Sequence, residues 1–509
     1  MDTYNSSYVP DGLAASARAA KQWAGYGCIA VIGVLLAIVI AMASSNAIEA
    51  LAILLFVAVL SSFGEAGLRF AFHFFLIFNF GAFALMIGRL KMDGIIAPIL
   101  TAGGVFAIVN IIAVPRVTFL INRSWTVLAM CGLAAVSAAW SDNPTLTFKD
   151  SLQLIFSTLL PIALVGRFGC NGALQLIIRT MSFICISSVV LAVFIPDLGV
   201  HQAYDIEQSQ HAGLWRGAFT HKIALGTFAG LTFGLLTFYG RRAFYNPFSY
   251  MASLISAMLC IFKAGSATGV AMTMFFVGLL FVTHRIAIQG VQIRRYLLRL
   301  TGIGVVVVVG LIFSGAFDRF VGLLGRSSDL TGRAEYWPHI IEFMGKSDAL
   351  LGYGYGRYTV VGTAIKKSAG MYLGEAHNGF LEMVVAFGYP GAFFISAIHF
   401  FLLWRAGRFI VGVPPRAIMI AVLPFSFIAT QLVSSYVESI ILEKRCVWTI
   451  FLTLSVCIIV KLRAAQKKPV RSGRIVRDAL RRSPVAGRLD PGLGQGLFLP
   501  PGTAEPRRL

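Results

Sequence analysis

Residues 95–114 read IIAPILTAGGVFAIVNIIAV, and this run of 20 residues contains no ionisable side chain. About 20 apolar residues in an α-helix span the hydrocarbon core of a bilayer, and the helix satisfies its own backbone hydrogen bonds there. Runs of similar character recur at 23–43, 70–87 and 219–239. The sequence therefore predicts a helical protein that crosses a membrane many times.

The composition of the whole chain agrees with that prediction. Of its 509 residues, 57% are hydrophobic and only 13% are charged, with a mean hydropathy of +0.78. Soluble domains carry about 25% charged residues. We expect an all-α polytopic membrane protein with 12–14 transmembrane helices, an even number being preferred. The candidate spans are 23–43, 47–62, 70–87, 95–114, 125–140, 152–166, 180–195, 218–239, 248–262, 269–284, 300–314, 381–404, 417–433 and 446–460.

The charges indicate how the chain is oriented. The formal net charge is +21, and the basic residues collect in short loops such as those with Arg241/Arg242 and Arg294/Arg295, and at both ends. Because loops rich in Lys and Arg stay in the cytoplasm, fourteen spans place both ends inside. The turn at 88–94 departs from the rule, since Arg89 and Lys91 then fall on the outer side.

These spans divide the chain into five parts. We expect a cytoplasmic N-terminus (1–22), transmembrane helices 1–11 (23–313), one large periplasmic loop with short helices (314–376), transmembrane helices 12–14 (377–460) and a basic tail (461–509). The apolar segment that begins at Trp23 is long enough to remain an anchor, so a cleaved signal peptide is not expected.

The tail is rich in Arg, Pro and Gly. We expect it to be disordered and to lie against anionic membrane lipids; the alternative is a solvated tail that only sets the topology. No nucleic-acid module accompanies it. The seven cysteines are scattered without a CxxC pair or a neighbouring histidine cluster, so neither a disulfide framework nor a metal site is expected.

Ionisable groups near membrane depth are functional candidates, and the first cluster of them is Trp215-Arg-Gly-Ala-Phe-Thr-His221-Lys222. Arg216, His221 and Lys222 would form a rim that attracts anions, because a guanidinium can hold a phosphate with two hydrogen bonds. The alternative is that these cations only extend toward the membrane surface, with Trp215 as an interfacial anchor.

A second cluster is Leu-Thr-Gly-Arg333, at the start of a predicted amphipathic helix over Ala334–Met344 with Trp337, Ile340, Ile341 and Met344 on one face. An arginine in a first turn opposes the helix dipole, which suggests another use; the alternative is a salt bridge to Glu335 or Asp329. Pro338 fits only a first turn, so the start of this helix is not fixed.

The third cluster, Gly374-Glu-Ala-His377-Asn378-Gly-Phe-Leu-Glu382, lies where the chain re-enters the membrane. A histidine is neutral near pH 7 and accepts a proton, as a general base must; the alternative is a structural, hydrogen-bonded histidine. Upstream, the Gly/Tyr run at 352–357 lacks the spacing of a nucleotide-binding loop. Its Tyr353 and Tyr355 are candidates to stack on sugar rings.

In this order, the motifs resemble the O-antigen ligase and Wzy-type polymerase superfamily of bacterial envelope glycosyltransferases, and are most similar to its exopolysaccharide-polymerase branch. The motifs are WSDNP at 140–144, WRGxFTHK at 215–222, LTGR at 330–333 with Trp337, GYG at 352–354 and AHNGFLE at 376–382. They cover roughly residues 125–400. Polymerases of the family usually carry Asn after His-Lys, where this chain has Ile223.

The resemblance implies a GT-C-like glycosyltransferase that needs no metal or cofactor. Its donor would be a glycan on undecaprenyl diphosphate at the periplasmic face of the bacterial inner membrane, and its acceptor a sugar hydroxyl. Arg216 and Arg333 would neutralise the leaving diphosphate, His377 would take the acceptor proton, and Asn378 would orient the acceptor. The substrate-binding candidates are Trp215, His221, Lys222, Trp337, Tyr353, Tyr355 and Asn378.

Two alternatives to a polymerase stay open from the sequence. One is an O-antigen ligase that moves a finished glycan onto lipid A core; the other is a transporter, although transporters place charges at the bilayer midplane between inverted repeats. A polysaccharide copolymerase is a further partner that such systems often have. No nucleic-acid partner is expected.

Overall fold

A computed structural model of the chain describes residues 63–89, 94, 96–205, 209–244, 246–313, 333–346, 350–369 and 374–466, with positions 53, 55, 58 and 59. The predicted span 23–43, nearly all of 47–62 and the tail beyond 466 lie outside this set. The chain divides into two units, Met1–Lys461 and Leu462–Leu509.

The described chain is helical, with one isolated antiparallel bridge between Val200 and Trp215. The helices are α1 Gly64–Asn79, α2 Ala84–Arg89, α3 Ile96–Ala113, α4 Pro115–Arg123, α5 Trp125–Val136, α6 Pro144–Phe194, α7 Lys222–Ala243, α8 Pro247–Ala264, α9 Ala267–Ala287, α10 Val291–Phe313, α11 Arg333–Lys346, α12 Tyr358–Ala369, α13 Gly379–Val411, α14 Ile418–Ser434 and α15 Val447–Gln466.

Within the described residues, seven helices are long and apolar enough to cross a membrane: α3, α6, α7, α8, α9, α13 and α15. This confirms the all-α polytopic class, and the uncharged run at 95–114 contains helix α3. The α6 helix is 51 residues long, and at 1.5 Å per residue a straight helix of that length would be about 75 Å long. It reverses at Gly169, where φ is +74°, so it supplies both of the spans predicted at 152–166 and 180–195.

Helix α13 is broken in the same way at Gly388, where φ is +66° and ψ is −178°. Pro390 has no N–H, so the Ala386 carbonyl loses its helical donor. The Gly/Tyr loop supplies replacements: Gly354 N–H donates to Ala386 O and Tyr353 N–H to Val385 O. The break therefore docks this loop onto the membrane helix.

One set of helix ends forms a common face, which we call the site face. Four backbone bonds tie it together: Phe83 N–H to Ala218 O, Trp215 N–H to Lys263 O, and Gly379 N–H to Ser435 O and Glu438 O. They link the turn after α1, the segment before α7, the end of α8, the start of α13 and the connection 435–446 between α14 and α15, which we call the site loop.

Basic residues bind carbonyl groups at the opposite ends of the helices. Arg294, in the first turn of α10, donates to the carbonyls of Ile410 and Val411 at the far end of α13. Lys461 of α15 donates to Val165 O, close to the reversal in α6. These basic groups thus lie opposite the site face, as the charge pattern predicted.

Helices α11 and α12 pack on the first half of α13. Their shared core contains Ile340, Met344, Tyr358, Val361, Ile365, Ala376 and Val385, with Trp337 beside it. The predicted helix start is confirmed to within one residue, and Pro338 lies in the second turn, not the first. The placement of Ile341 on the buried face was wrong: its side chain is 51% exposed.

Candidate functional site

His377 is presented by the turn that precedes α13. Its φ of +47° puts it in the left-handed region, which costs a non-glycine residue free energy and is tolerated where neighbouring contacts fix the backbone. Those contacts come from both sides. The Asn378 side-chain oxygen caps α13 by accepting from Phe380 N–H and Leu381 N–H, and Gly379 N–H is held by the site loop.

Two carboxylates face one nitrogen of this histidine. The His377 Nδ1 atom lies 3.0 Å from Glu375 Oε1 and 3.9 Å from Glu438 Oε2. The ring is 29% exposed, Glu375 is 51% exposed and Glu438 only 10%. A carboxylate at Nδ1 fixes the ring proton there, which leaves Nε2 able to accept a proton, as in catalytic triads.

Trp337 supports this turn from the side of α11. Its indole N–H donates to Ala376 O at 2.9 Å, and its ring lies edge-on to Tyr436 of the site loop. The Ala376 N–H donates to Glu382 Oε1. The observed polar contact of Trp337 is thus to backbone beside the base; its predicted contact with sugar stays a prediction.

Arg216 is almost completely buried, with 3% of its side chain exposed. Three of its N–H groups are used within the preceding segment: Nη1 donates to Asp205 Oδ2 at 2.7 Å, Nε to Leu198 O and Nη2 to Asp197 O. The arginine therefore organises the segment 197–205. Its predicted neutralisation of a diphosphate stays a prediction, but most of its donors are already committed to protein acceptors.

Three imidazoles meet next to Arg216. The ring centroids of His201, His211 and His221 lie 5.3–5.7 Å apart. Burial is the main reason that the pKa of His201 falls to about 4 and that of His221 to about 3. All three pKa values lie below the usual value, which keeps the rings neutral at pH 7.

This cluster joins two of the predicted motifs. The charge of His377 is among the influences that lower the pKa of His221, after burial, the other two imidazoles and Lys222. Ring nitrogens also serve the start of α7, since His221 Nδ1 accepts from Ile223 N–H and His201 Nε2 from Lys222 N–H. Among the described residues, no group of three His, Cys, Asp or Glu has the arrangement to hold a metal ion.

Arg333 is the first residue of α11, one helical turn before Trp337. Its backbone position is described, but its side chain lies outside the described part of the structure. The role assigned to it therefore stays a prediction.

The tyrosines of the Gly/Tyr loop face protein. Tyr353 packs against Phe343, and Tyr355 is buried, stacks on Phe387 and donates its hydroxyl to Leu442 O. Burial raises the pKa of the Tyr355 hydroxyl well above its usual value. Tyr355 therefore belongs to the packing beneath the site, contrary to the predicted stacking on a sugar.

The motif at 140–144 holds the same loop. Trp140 donates its indole N–H to Leu351 O, Thr147 donates to Tyr355 O, and Asn143 caps α6 by accepting from Leu146 N–H.

A buried ion pair lies below it. Asp150 of α6 bonds both Arg357, at 3.0 Å, and Lys444 of the site loop.

The residues that sequence reasoning missed are Asp205, Glu438, Lys444 and Arg445. Their signal was present: the short connection 435–446 has four charged side chains on the side that the positive-inside rule expects to be poor in Lys and Arg. Asp205 gave no such signal, because nothing in its local sequence relates it to Arg216.

Two comparisons with known proteins bear on this arrangement. Residues 251–396 match the model of the O-antigen ligase family, a region that runs from α8 into α13 and includes Arg333 and His377. The chain is also 27% identical, over 284 residues, to the exopolysaccharide production protein ExoQ of Rhizobium meliloti (strain 1021). That match covers 53% of this chain and 62% of the relative's length. Together they confirm the resemblance to the O-antigen ligase and Wzy-type superfamily.

Proposed function

We propose that this protein is a membrane glycosyltransferase that joins oligosaccharide repeats, each carried on undecaprenyl diphosphate, into an exopolysaccharide. The observation that carries the proposal is His377, partly exposed at the end of a membrane helix with two carboxylates at Nδ1. The name of the Rhizobium relative, an exopolysaccharide production protein, favours a polymerase.

The reaction requires one base and one site for a leaving group. His377 Nε2 takes the proton of an acceptor hydroxyl while the acceptor oxygen attacks the anomeric carbon of the donor. The bond between that carbon and the diphosphate oxygen breaks, and the electron pair leaves with the lipid diphosphate. The Nδ1 carboxylates stabilise the charge that the ring gains, and cationic groups stabilise the leaving anion.

The location and partners belong to the same proposal. The site face would be the periplasmic face of the bacterial inner membrane, so the basic loops at the other helix ends would be cytoplasmic. A copolymerase that controls chain length is a further proposed partner. The name of the matched family also supports a second candidate, an O-antigen ligase that uses the same base and donor with lipid A core as acceptor.

The test uses purified full-length protein in lipid nanodiscs and lipid-linked repeats from a strain that lacks the gene. Wild type should convert single repeats into a ladder of longer glycans with no ion gradient, which a transporter would not do. The variants Arg216→Ala, Arg333→Ala and His377→Ala should give no long polymer while remaining in the membrane fraction. His339→Ala, on α11, is the matched control and should retain activity.

Full polymer from His377→Ala would overturn the assignment of the base. Transfer to added lipid A core, with no ladder of repeats, would establish the ligase in place of the polymerase.

A further inference from the structure

A cleft of about 540 Å³ opens on the site face beside the histidine cluster. Its volume lies within the range of small-molecule pockets, roughly 300–1,000 Å³. It is bounded by Arg89 and the apolar residues of α2, by Ile96 at the start of α3, by Thr220 and by Arg445 of the site loop. The residues lining this cleft therefore come from distant parts of the chain.

The described lining contains two guanidinium groups and no carboxylate. Arg445 forms no side-chain hydrogen bond or ion pair with the residues that the structure describes. The ion pair of Arg89 is to Asp205, at 3.8 Å, longer than a hydrogen bond, and 41% of its side chain is exposed. Two arginines that their surroundings do not neutralise make this cleft attractive to a doubly charged anion.

The backbone around the cleft is held in an unusual shape. Phe83 and Arg445 both have positive φ, +64° and +56°. Phe83 N–H donates to Ala218 O at 2.6 Å, and the Arg445 carbonyl lies so close to Gly81 that a Cβ there would come within 3.1 Å of it. Strained residues persist where the surroundings fix them, and they concentrate at binding sites.

The cleft also has the polarity of an amphiphile. Ala84 and Leu85 give one side of it an apolar surface, as a polyprenyl chain requires, while the arginines and the Thr220 hydroxyl give the other a polar one. Ile96 is the first residue of the 18-residue helix α3, so the positive end of a helix dipole lies at the edge. Thr220 directly precedes His221, whose pKa responds to His377.

Asp205 connects this cleft to the buried Arg216. Its Oδ2 accepts from Arg216 at 2.7 Å, and its Oδ1 is 3.8 Å from Arg89 Nη2. Burial alone would raise the pKa of Asp205, but the Gln202 N–H and the Arg216 guanidinium outweigh it and hold the pKa below its usual value. Asp205 is therefore ionised at neutral pH, and one carboxylate links the two arginines.

We propose that this cleft binds the diphosphate of a polyprenyl diphosphate, with Arg89 and Arg445 contacting the phosphate oxygens and Thr220 donating a hydrogen bond. In this assignment Arg216 and Asp205 are positioning residues: Arg216 holds Asp205, and Asp205 holds Arg89 at the rim. The identity of the lipid rests on the proposed function, whereas the affinity for a diphosphate does not.

The experiment measures binding without turnover. Farnesyl diphosphate and undecaprenyl diphosphate are titrated into full-length protein in phosphatidylcholine nanodiscs, and occupancy is read by native mass spectrometry. Arg89→Gln and Arg445→Gln should each weaken binding about tenfold, and the double variant about a hundredfold, as expected when charge-assisted hydrogen bonds are lost. Arg69→Gln, on α1 and paired to Glu65, is the matched arginine control and should bind as wild type.

Competitors identify which part of the ligand is recognised. Inorganic pyrophosphate should displace farnesyl diphosphate, and undecaprenyl diphosphate should bind more tightly than either because of its chain. Equal competition by phosphatidylglycerol would show a general preference for anionic lipid and would overturn the proposal, as would unchanged affinity in the double arginine variant.

The positioning role has its own readout. Asp205→Asn should weaken diphosphate binding by as much as Arg89→Gln, and the combination of the two should add nothing further. Additive losses would contradict the link through Asp205. His377→Ala should bind farnesyl diphosphate normally, so a failed polymerisation assay with intact, arginine-dependent binding would reject the proposed function and leave this site standing.

Discussion

Replacing the two carboxylates at His377 by amides tests the proposed base directly. Glu375→Gln and Glu438→Gln keep the shape of each side chain but remove the charge that orients the ring. A hydrogen bond to a charged group contributes about 1.5–3 kcal/mol, and 1.4 kcal/mol is a factor of ten in rate. Glu375 is half exposed, so we expect the low end of that range, a loss of about tenfold in kcat.

Glu438 lies farther from Nδ1 but is nearly buried. At about 4 Å, two unit charges attract by about 4 kcal/mol when the effective dielectric constant is near 20, which is an upper bound for its effect on a protonated ring. While one carboxylate remains, the ring keeps an acceptor for its proton. We therefore expect about tenfold from each single change and about a thousandfold from the double change, more than the product of the two.

The assay is the initial rate of repeat joining by purified protein in nanodiscs, measured between pH 5.5 and 8.5 with donor concentration varied. The loss should lie in kcat with little change in KM, because these carboxylates contact the base. Glu342→Gln is the matched control, since Glu342 is exposed on α11 and paired to Lys346. A double variant within twofold of wild type at every pH would refute the assignment of Glu375 and Glu438 as orienting groups.

Three further predictions concern the framework of the site. Because the folded pKa values of His201 and His221, about 4 and about 3, lie below the usual 6.5, the unfolded chain binds more protons as the pH falls, so the melting temperature should drop between pH 6.5 and 4; His201→Gln should flatten that slope. Gly388→Ala should destabilise by at least about 3 kcal/mol in thermal unfolding, because its backbone favours only glycine and a Cβ would lie 1.8 Å from Leu350 O, whereas Gly412→Ala, with open space around it, should not. Arg357→Met should cost about 3 kcal/mol, the low end for breaking a buried ion pair since Lys444 still serves Asp150, and an unchanged melting temperature would contradict it.

The sequence predicted the membrane helices well, because hydropathy alone decides them. Residues 95–114 were predicted as a span and 96–113 are helix α3. It did not predict that two spans are one helix reversed at Gly169, since that depends on a single φ angle. Ile341 was placed on the wrong face because a helical pattern fixes the buried stripe only to within about one residue.

The candidate site was predicted in part, for a related reason. His377 and the Trp215–Lys222 motif were found from the charges at predicted helix ends, and the structure brings them together through His221. Local sequence gives the residue types at a loop but not their partners across space. Arg216 therefore read as an exposed anion-binding group, whereas Asp205, 11 residues away, already holds its guanidinium.

The cations of the site face acquire meaning once their partners are subtracted. The positive-inside rule expects few Lys or Arg there, yet Arg216, Arg357 and Lys444 all lie on it. Each of these three is neutralised by a carboxylate, Asp205 or Asp150. Arg89 and Arg445 remain weakly paired or unpaired among the described residues, and both line one cleft. A basic surplus confined to a single cleft on a face that topology should leave poor in cations is best explained by an anion that binds there, and a lipid diphosphate has both the charge and the apolar chain that this cleft accommodates.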